Sequence, residues 1–157
     1  FHVSPFDRSS SRVEALRLML RMLAQNRVVV VFPEGHRSPD HTMKEGMLGV
    51  AYLALKSRAT ILPVGLSGTE KISAWHMTVP LCRMRINIGR PFTPPVVEGA
   101  SRQDATQIAL DLIMNRIAGL LPEKYRGVYA TTAAQGARVS ADVARQANEA
   151  GHGTLAP

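Results

Sequence analysis

Five apolar residues, Val28-Val29-Val30-Val31-Phe32, run without interruption into Pro33-Glu34-Gly35. Four successive β-branched side chains lose rotamer freedom in a helix and fit a pleated strand. An apolar run without alternation reads as a strand covered on both faces, as in the interior of an α/β sheet. Pro33 has no N–H with which to continue a ladder, so the strand ends by handing the chain to a turn. In open α/β sheets, ligands sit outside that carboxyl end.

The flanking segments fit the same class. Ser11–Arg27 reads as an amphipathic helix. Ser11 and Glu14 have capping-box spacing, and Val13, Leu16, Leu20 and Leu23 recur at helical intervals. Met47–Lys56 has helical character, and Thr60–Val64 reads as a second buried strand containing Pro63. A helix between two apolar strands predicts parallel neighbours. Arg83–Ile88 alternates polar and apolar residues, as expected of a strand with one wet face nearer a sheet edge. Ser101–Leu121 reads as another helix, with Ile108, Leu112, Ile117 and Leu121 buried and Pro122 as its stop.

A chain of 157 residues that is 45% hydrophobic can bury the core of one domain. Large apolar residues thin out after Ala130, so the expected organisation is a domain over 1–130 and a disordered tail over 131–157. Nineteen Lys and Arg against 12 acidic residues give a net charge of +7, which favours anionic partners. Only 5% of residues are aromatic, which argues against a base-stacking platform and nucleic acid. Cys82 is the single cysteine, so no disulfide can form within this chain. No apolar run approaches the roughly 18 residues that a membrane span needs. The sequence opens at Phe1 without an initiating Met, from which an N-terminally truncated chain is expected.

The turn after the apolar run carries the chemistry. Gly35 lets the backbone approach a ligand. Glu34 offers a carboxylate to a hydroxyl, Arg37 a planar fork to a phosphate or carboxylate, and Ser38 a hydroxyl donor. An acid and a base on one turn suit a substrate carrying both a hydroxyl and a phosphate. On these residues alone, an ordinary polar loop with a surface Glu–Arg pair remains open.

FPEGHRS resembles the FPEGTRS block of the glycerophosphate and lysophosphatidate acyltransferases, the PlsC-type enzymes. Further on, KEGMLGVAYLALKSRATILPVGLSGTEK (Lys44 to Lys71) is similar to the family's Lys-x-Gly, its Ala/Leu-rich helix and its Pro-Val block. INIGRPFTPP and LLPEKYRGVYA resemble the C-terminal part of bacterial members. The resemblance implies a mixed, partly parallel sheet flanked by helices. It also implies acyl transfer from a thioester to the hydroxyl of a lysophosphatidate-like glycerol phosphate, in phospholipid synthesis. Acyl-CoA or acyl-carrier protein would be the co-substrate, with no cofactor and no metal. The chain would work peripherally at the cytoplasmic face of a membrane. Carried over residue by residue, Glu34, Gly35, Arg37 and Ser38 fall in the block that binds the glycerol phosphate, and Lys44 matches the basic residue before the next helix. A non-catalytic lipid-phosphate or membrane-surface module is the alternative.

The opening FHVSPFD admits two registers. His2 and Asp7 fit the family's His-x4-Asp block, in which the His is the general base and the Asp orients it. In the other register Asp7-Arg8 is the Asp-Arg of the family's second motif, and Arg8 contacts the phosphate. The short interval between His2 and FPEG favours the second register, in which His2 and Asp7 match by chance.

Overall fold

The computed structural model describes residues 12–71, 84–95, 99 and 101–131. They form three α-helices, two short strands and three single 3-10 turns. The chain divides into two compact units. One takes Phe1–His36, Gly46–Leu62 and Arg90–Ile113, and the other takes Arg37–Glu45, Pro63–Gly89 and Met114–Pro157.

In the first unit, α1 (Arg12–Ala24) packs against α2 (Leu48–Ser57). Gly49 faces α1, where a Cβ would meet a Leu16 methyl at 3.8 Å, an ordinary packing distance. Ala51, Leu53 and Ala54 are the buried positions of α2, two of them small. Arg58 ends this helix in the left-handed region (φ 53), and its N–H donates to the Ala54 carbonyl. Ile61 and Phe92 then exchange reciprocal backbone hydrogen bonds of 2.7 and 3.0 Å. The helix α3 (Arg102–Gly119) starts with a reciprocal cap. The Asp104 N–H donates to Ser101 Oγ at 3.1 Å, and the Ser101 hydroxyl donates to the Asp104 carboxylate at 2.7 Å.

In the second unit, β1 (Val64–Ser67) pairs with β2 (Arg85–Ile88) in an antiparallel ladder, with Val64 opposite Ile88 and Gly65 opposite Asn87. Gly65 and Ser67 are buried, and the end of α3 lies over them. A Cβ on Gly65 would stand 3.0 Å from Leu120 Cβ. Asn87 secures the contact by donating its side-chain amide to the Leu120 carbonyl at 2.6 Å. Beyond α3 the chain makes 3-10 turns at Glu123–Tyr125 and Gly127–Tyr129. The buried Met43 is stitched to them: its N–H donates to the Tyr125 carbonyl, and its carbonyl accepts from the Val128 N–H. Tyr125 also donates its hydroxyl to Glu70 at 2.6 Å, which holds the Glu70 carboxyl below its ordinary range.

Helices beside a small sheet are compatible with an α/β class, but the strand expectations change in detail. Val28–Phe32 forms no ladder among the described residues, and no backbone hydrogen bond joins Val28–Val31 to another of them. Val28, Val30 and Phe32 are 87%, 80% and 72% exposed, where cover on both faces was expected. The expected parallel pairing with Thr60–Val64 is therefore not among the described residues. Pro63 explains the second segment. Without an N–H it interrupts pairing, so Ile61 makes an isolated bridge and the regular strand starts at Val64. The expected inward isoleucines of β2 are not seen: Ile86 and Ile88 are 58% and 65% exposed, and Asn87 is the half-buried position, its amide bonded to the Leu120 carbonyl. The buried stripe of α3 runs through Ala109, Leu110, Ile113, Met114 and Ala118, one position beyond the expected Ile108, Leu112 and Ile117, with Ile108 exposed; Leu121, just past the helix, is buried as expected. Apart from Thr131, the tail over 131–157 lies outside the described residues.

Two glycines separate backbone demand from helix propensity. Gly127 has φ 51, and a Cβ there would overlap the Met43 carbonyl oxygen. Gly119 ends α3 with open space where a Cβ would go. Thermal melts should show Gly127→Ala destabilised by at least about 2 kcal/mol, whereas Gly119→Ala should gain up to about 1 kcal/mol.

Candidate functional site

Two proline-led turns build the loop between the Val28–Phe32 segment and α2. The first is Phe32-Pro33-Glu34-Gly35, closed by a Gly35 N–H bond to the Phe32 carbonyl at 3.1 Å. Pro33 presets the backbone at the second position of the turn, and Gly35 leaves it at φ 70. A Cβ on Gly35 would overlap Met47 Sδ. The Met47 N–H in turn donates to the Pro33 carbonyl at 2.8 Å, so the turn is fastened to the start of α2. Glycine is required here twice over, by φ and by the closeness of Met47. Glu34, at the third position, is half-buried.

The second turn, Ser38-Pro39-Asp40-His41, repeats the pattern in the second unit. Its His41 N–H reaches the Ser38 carbonyl at 3.4 Å, and His41 leaves it at φ 59. Asp40 is the hub of this loop. Its Oδ1 accepts from the Ser38 hydroxyl at 2.6 Å, the Thr42 hydroxyl at 3.0 Å and the Thr42 N–H at 3.3 Å. Its Oδ2 takes the Lys44 ammonium at 2.5 Å. These donors, Lys44 first and then Ser38 and Thr42, hold the Asp40 carboxyl far below its ordinary range.

Of the residues singled out from the sequence, Ser38 and Lys44 are thus brought together, through a carboxylate. Arg37 is exposed and directly precedes Ser38. Ser38, expected as a hydroxyl donor to a ligand, donates its proton to Asp40 here. Glu34 and Gly35 stand on the first turn, in the other unit. His2, Asp7 and Arg8 lie outside the described residues. The sequence reading missed Asp40 and Thr42. Their signal was present: SPDH repeats the Pro-acid order of FPEG, and Lys44 follows Asp40 by four residues.

Among the described residues, no helix is long and apolar enough to cross a membrane. Residues 1–67 match the family model described as Acyltransferase, a match consistent with a PlsC-type member. The matched range contains both proline-led turns and α2, and it ends with the last residue of β1. An acyltransferase segment points to acyl transfer in general, with an acyl donor and an acceptor as its substrates. No solved structure matches the chain.

Two measurements check this geometry. Gly35→Ala should destabilise the protein, and adding Met47→Ala should recover part of the loss. The overlap with Sδ is then relieved while the backbone strain of about 1–2 kcal/mol stays. For Asp40, the folded-state pKa lies below the unfolded one. The ion-paired loop is therefore fully held above the ordinary carboxylate range near 4 and is lost as pH falls through the lower folded value. A carboxyl NMR titration should find Asp40 titrating well below the ordinary aspartate range, and Lys44→Ala should move its midpoint upward.

Proposed function

We propose that this chain is part of an enzyme that moves an acyl group from an acyl thioester, acyl-CoA or acyl-carrier protein, to the hydroxyl of a lysophosphatidate-like glycerol phosphate. The acyltransferase match over residues 1–67 carries this reading. The character of the loop within that range supports the choice of acceptor. Arg37 and Lys44 are cations suited to a phosphate, Gly35 permits close backbone approach, and Glu34 is a carboxylate suited to a glycerol hydroxyl. In the reaction the acceptor oxygen attacks the thioester carbonyl carbon, the C–S bond breaks, and the hydroxyl proton leaves through a general base to the departing thiolate. A net charge of +7 suits work at an anionic membrane surface, where both amphiphilic substrates reside.

The role of Arg37 is testable in an active enzyme carrying this sequence. Arg37→Ala should raise KM for a phosphorylated acceptor by a factor corresponding to about 1.5–3 kcal/mol, the worth of a charge-assisted hydrogen bond. It should leave the weak use of an unphosphorylated glycerol acceptor unchanged. Equal loss with both acceptors would remove Arg37 from phosphate recognition. His2→Ala separates the two registers of FHVSPFD. Unchanged turnover is expected where Asp7-Arg8 is the second motif, whereas abolished turnover would assign the base to His2 with Asp7 as its orienter. Phosphate-dependent lipid binding with no acyl transfer would instead favour the binding-module reading.

A further inference from the structure

The donors that converge on Asp40 are those an oxyanion site uses: two hydroxyls, one backbone N–H and one ammonium. They come from Ser38, Thr42 and Lys44, within a loop that Pro39 and the left-handed His41 bend into a turn. Lys44 is also a residue that the proposed function assigns to the acceptor phosphate, and Ser38 falls in the block that the family resemblance places on the glycerol phosphate. A carboxylate and a phosphate compete for the same donors, because both are anionic oxygen acceptors. The carboxylate already present belongs to the chain. Its side chain is 55% exposed and that of Lys44 34%, so neither is sealed from solvent.

We infer that the Ser38–Lys44 loop is a phosphate site occupied by its own anion: Asp40 fills it in the free protein, and an incoming phosphate monoester takes over the Ser38, Thr42 and Lys44 donors as Asp40 swings out. The inference rests on the phosphate-acceptor reading and adds a competitor built into it. Asp40 keeps the donors gathered while no ligand is bound. It also weakens phosphate binding twice, by holding Lys44 and by placing a negative charge beside the incoming one. Anions that cannot displace a carboxylate from several donors at once are thereby screened out.

The test is a titration of the full chain with inorganic phosphate and with glycerol 3-phosphate, followed through the backbone amide resonances of Ser38–Lys44. Asp40→Asn retains the side-chain shape and an acceptor oxygen for the turn while removing the charge. It should tighten phosphate binding about three- to tenfold at low salt, the scale of one removed like charge and one released surface ion pair. Asp111→Asn makes the same charge change on α3 and should leave the affinity as it was. Lys44→Ala should weaken binding, and by a larger factor in the Asp40→Asn background than in the parent, because the Asp40 carboxylate then no longer competes for its ammonium. Circular dichroism and the amide spectrum of Asp40→Asn report whether the fold is kept. Should that turn fail to form, Thr42→Val, which removes one shared hydroxyl, decides instead: weaker phosphate binding is expected, and unchanged binding would overturn the proposal. Equal or weaker binding in a folded Asp40→Asn, with Arg37→Ala still lowering affinity, would overturn it and leave Asp40 as a turn-former alone. If Arg37→Ala and Lys44→Ala both leave phosphate binding unchanged, the phosphate reading itself fails, and the inference with it.

Discussion

Met43 is the fixed point of the second unit. Its backbone N–H and carbonyl are both taken by the 3-10 turns that follow α3, and its side chain is buried. A loop rich in Pro, Asp, His and Thr would otherwise have little apolar material to hold it down. Through Met43 the loop is tied to residues more than eighty positions later in the chain. The neighbouring contacts belong to the same tie. Gly127 leaves room for the Met43 carbonyl, Tyr125 reaches Glu70, and Arg126 donates to the Leu121 carbonyl at 2.9 Å. The position of Lys44, one residue beyond Met43, therefore depends on the C-terminal part of the chain.

That dependence marks where the sequence could be read and where it could not. Helices were legible because their signals are local: the spacing of apolar residues and the proline at position 122 that stops the last of them. The strands were less so. Whether VVVVF is covered depends on which neighbour lies beside it, and nothing within the five residues specifies that neighbour. Pro63 was visible in the sequence, yet the strand was expected to run through it over Thr60–Val64; its missing N–H accounts for the later start of β1 at Val64. In β2, the half-buried Asn87 makes a long-range bond to a carbonyl at the end of α3, which no window of a few residues contains.

The candidate site divides in the same way. Gly35 was singled out in the sequence for backbone approach to a ligand; its φ of 70 and the nearness of Met47 Sδ were not legible there. The charged residues of FPEGHRS carry the family likeness, whereas the carboxylate that organises Ser38 and Lys44 lies in SPDH. An acidic residue is easily discounted in a search for phosphate ligands. Here it shows which donors converge.

The paired prolines have a thermodynamic consequence. Pro33 and Pro39 each remove backbone freedom from the unfolded chain as well as from the folded one. A left-handed residue closes each turn and narrows the choice further. Ordering a mobile loop normally subtracts from the free energy of binding. In this loop much of the conformational entropy is already lost on folding, so a ligand gripped by it would face a smaller ordering cost than one gripped by a loop of ordinary composition.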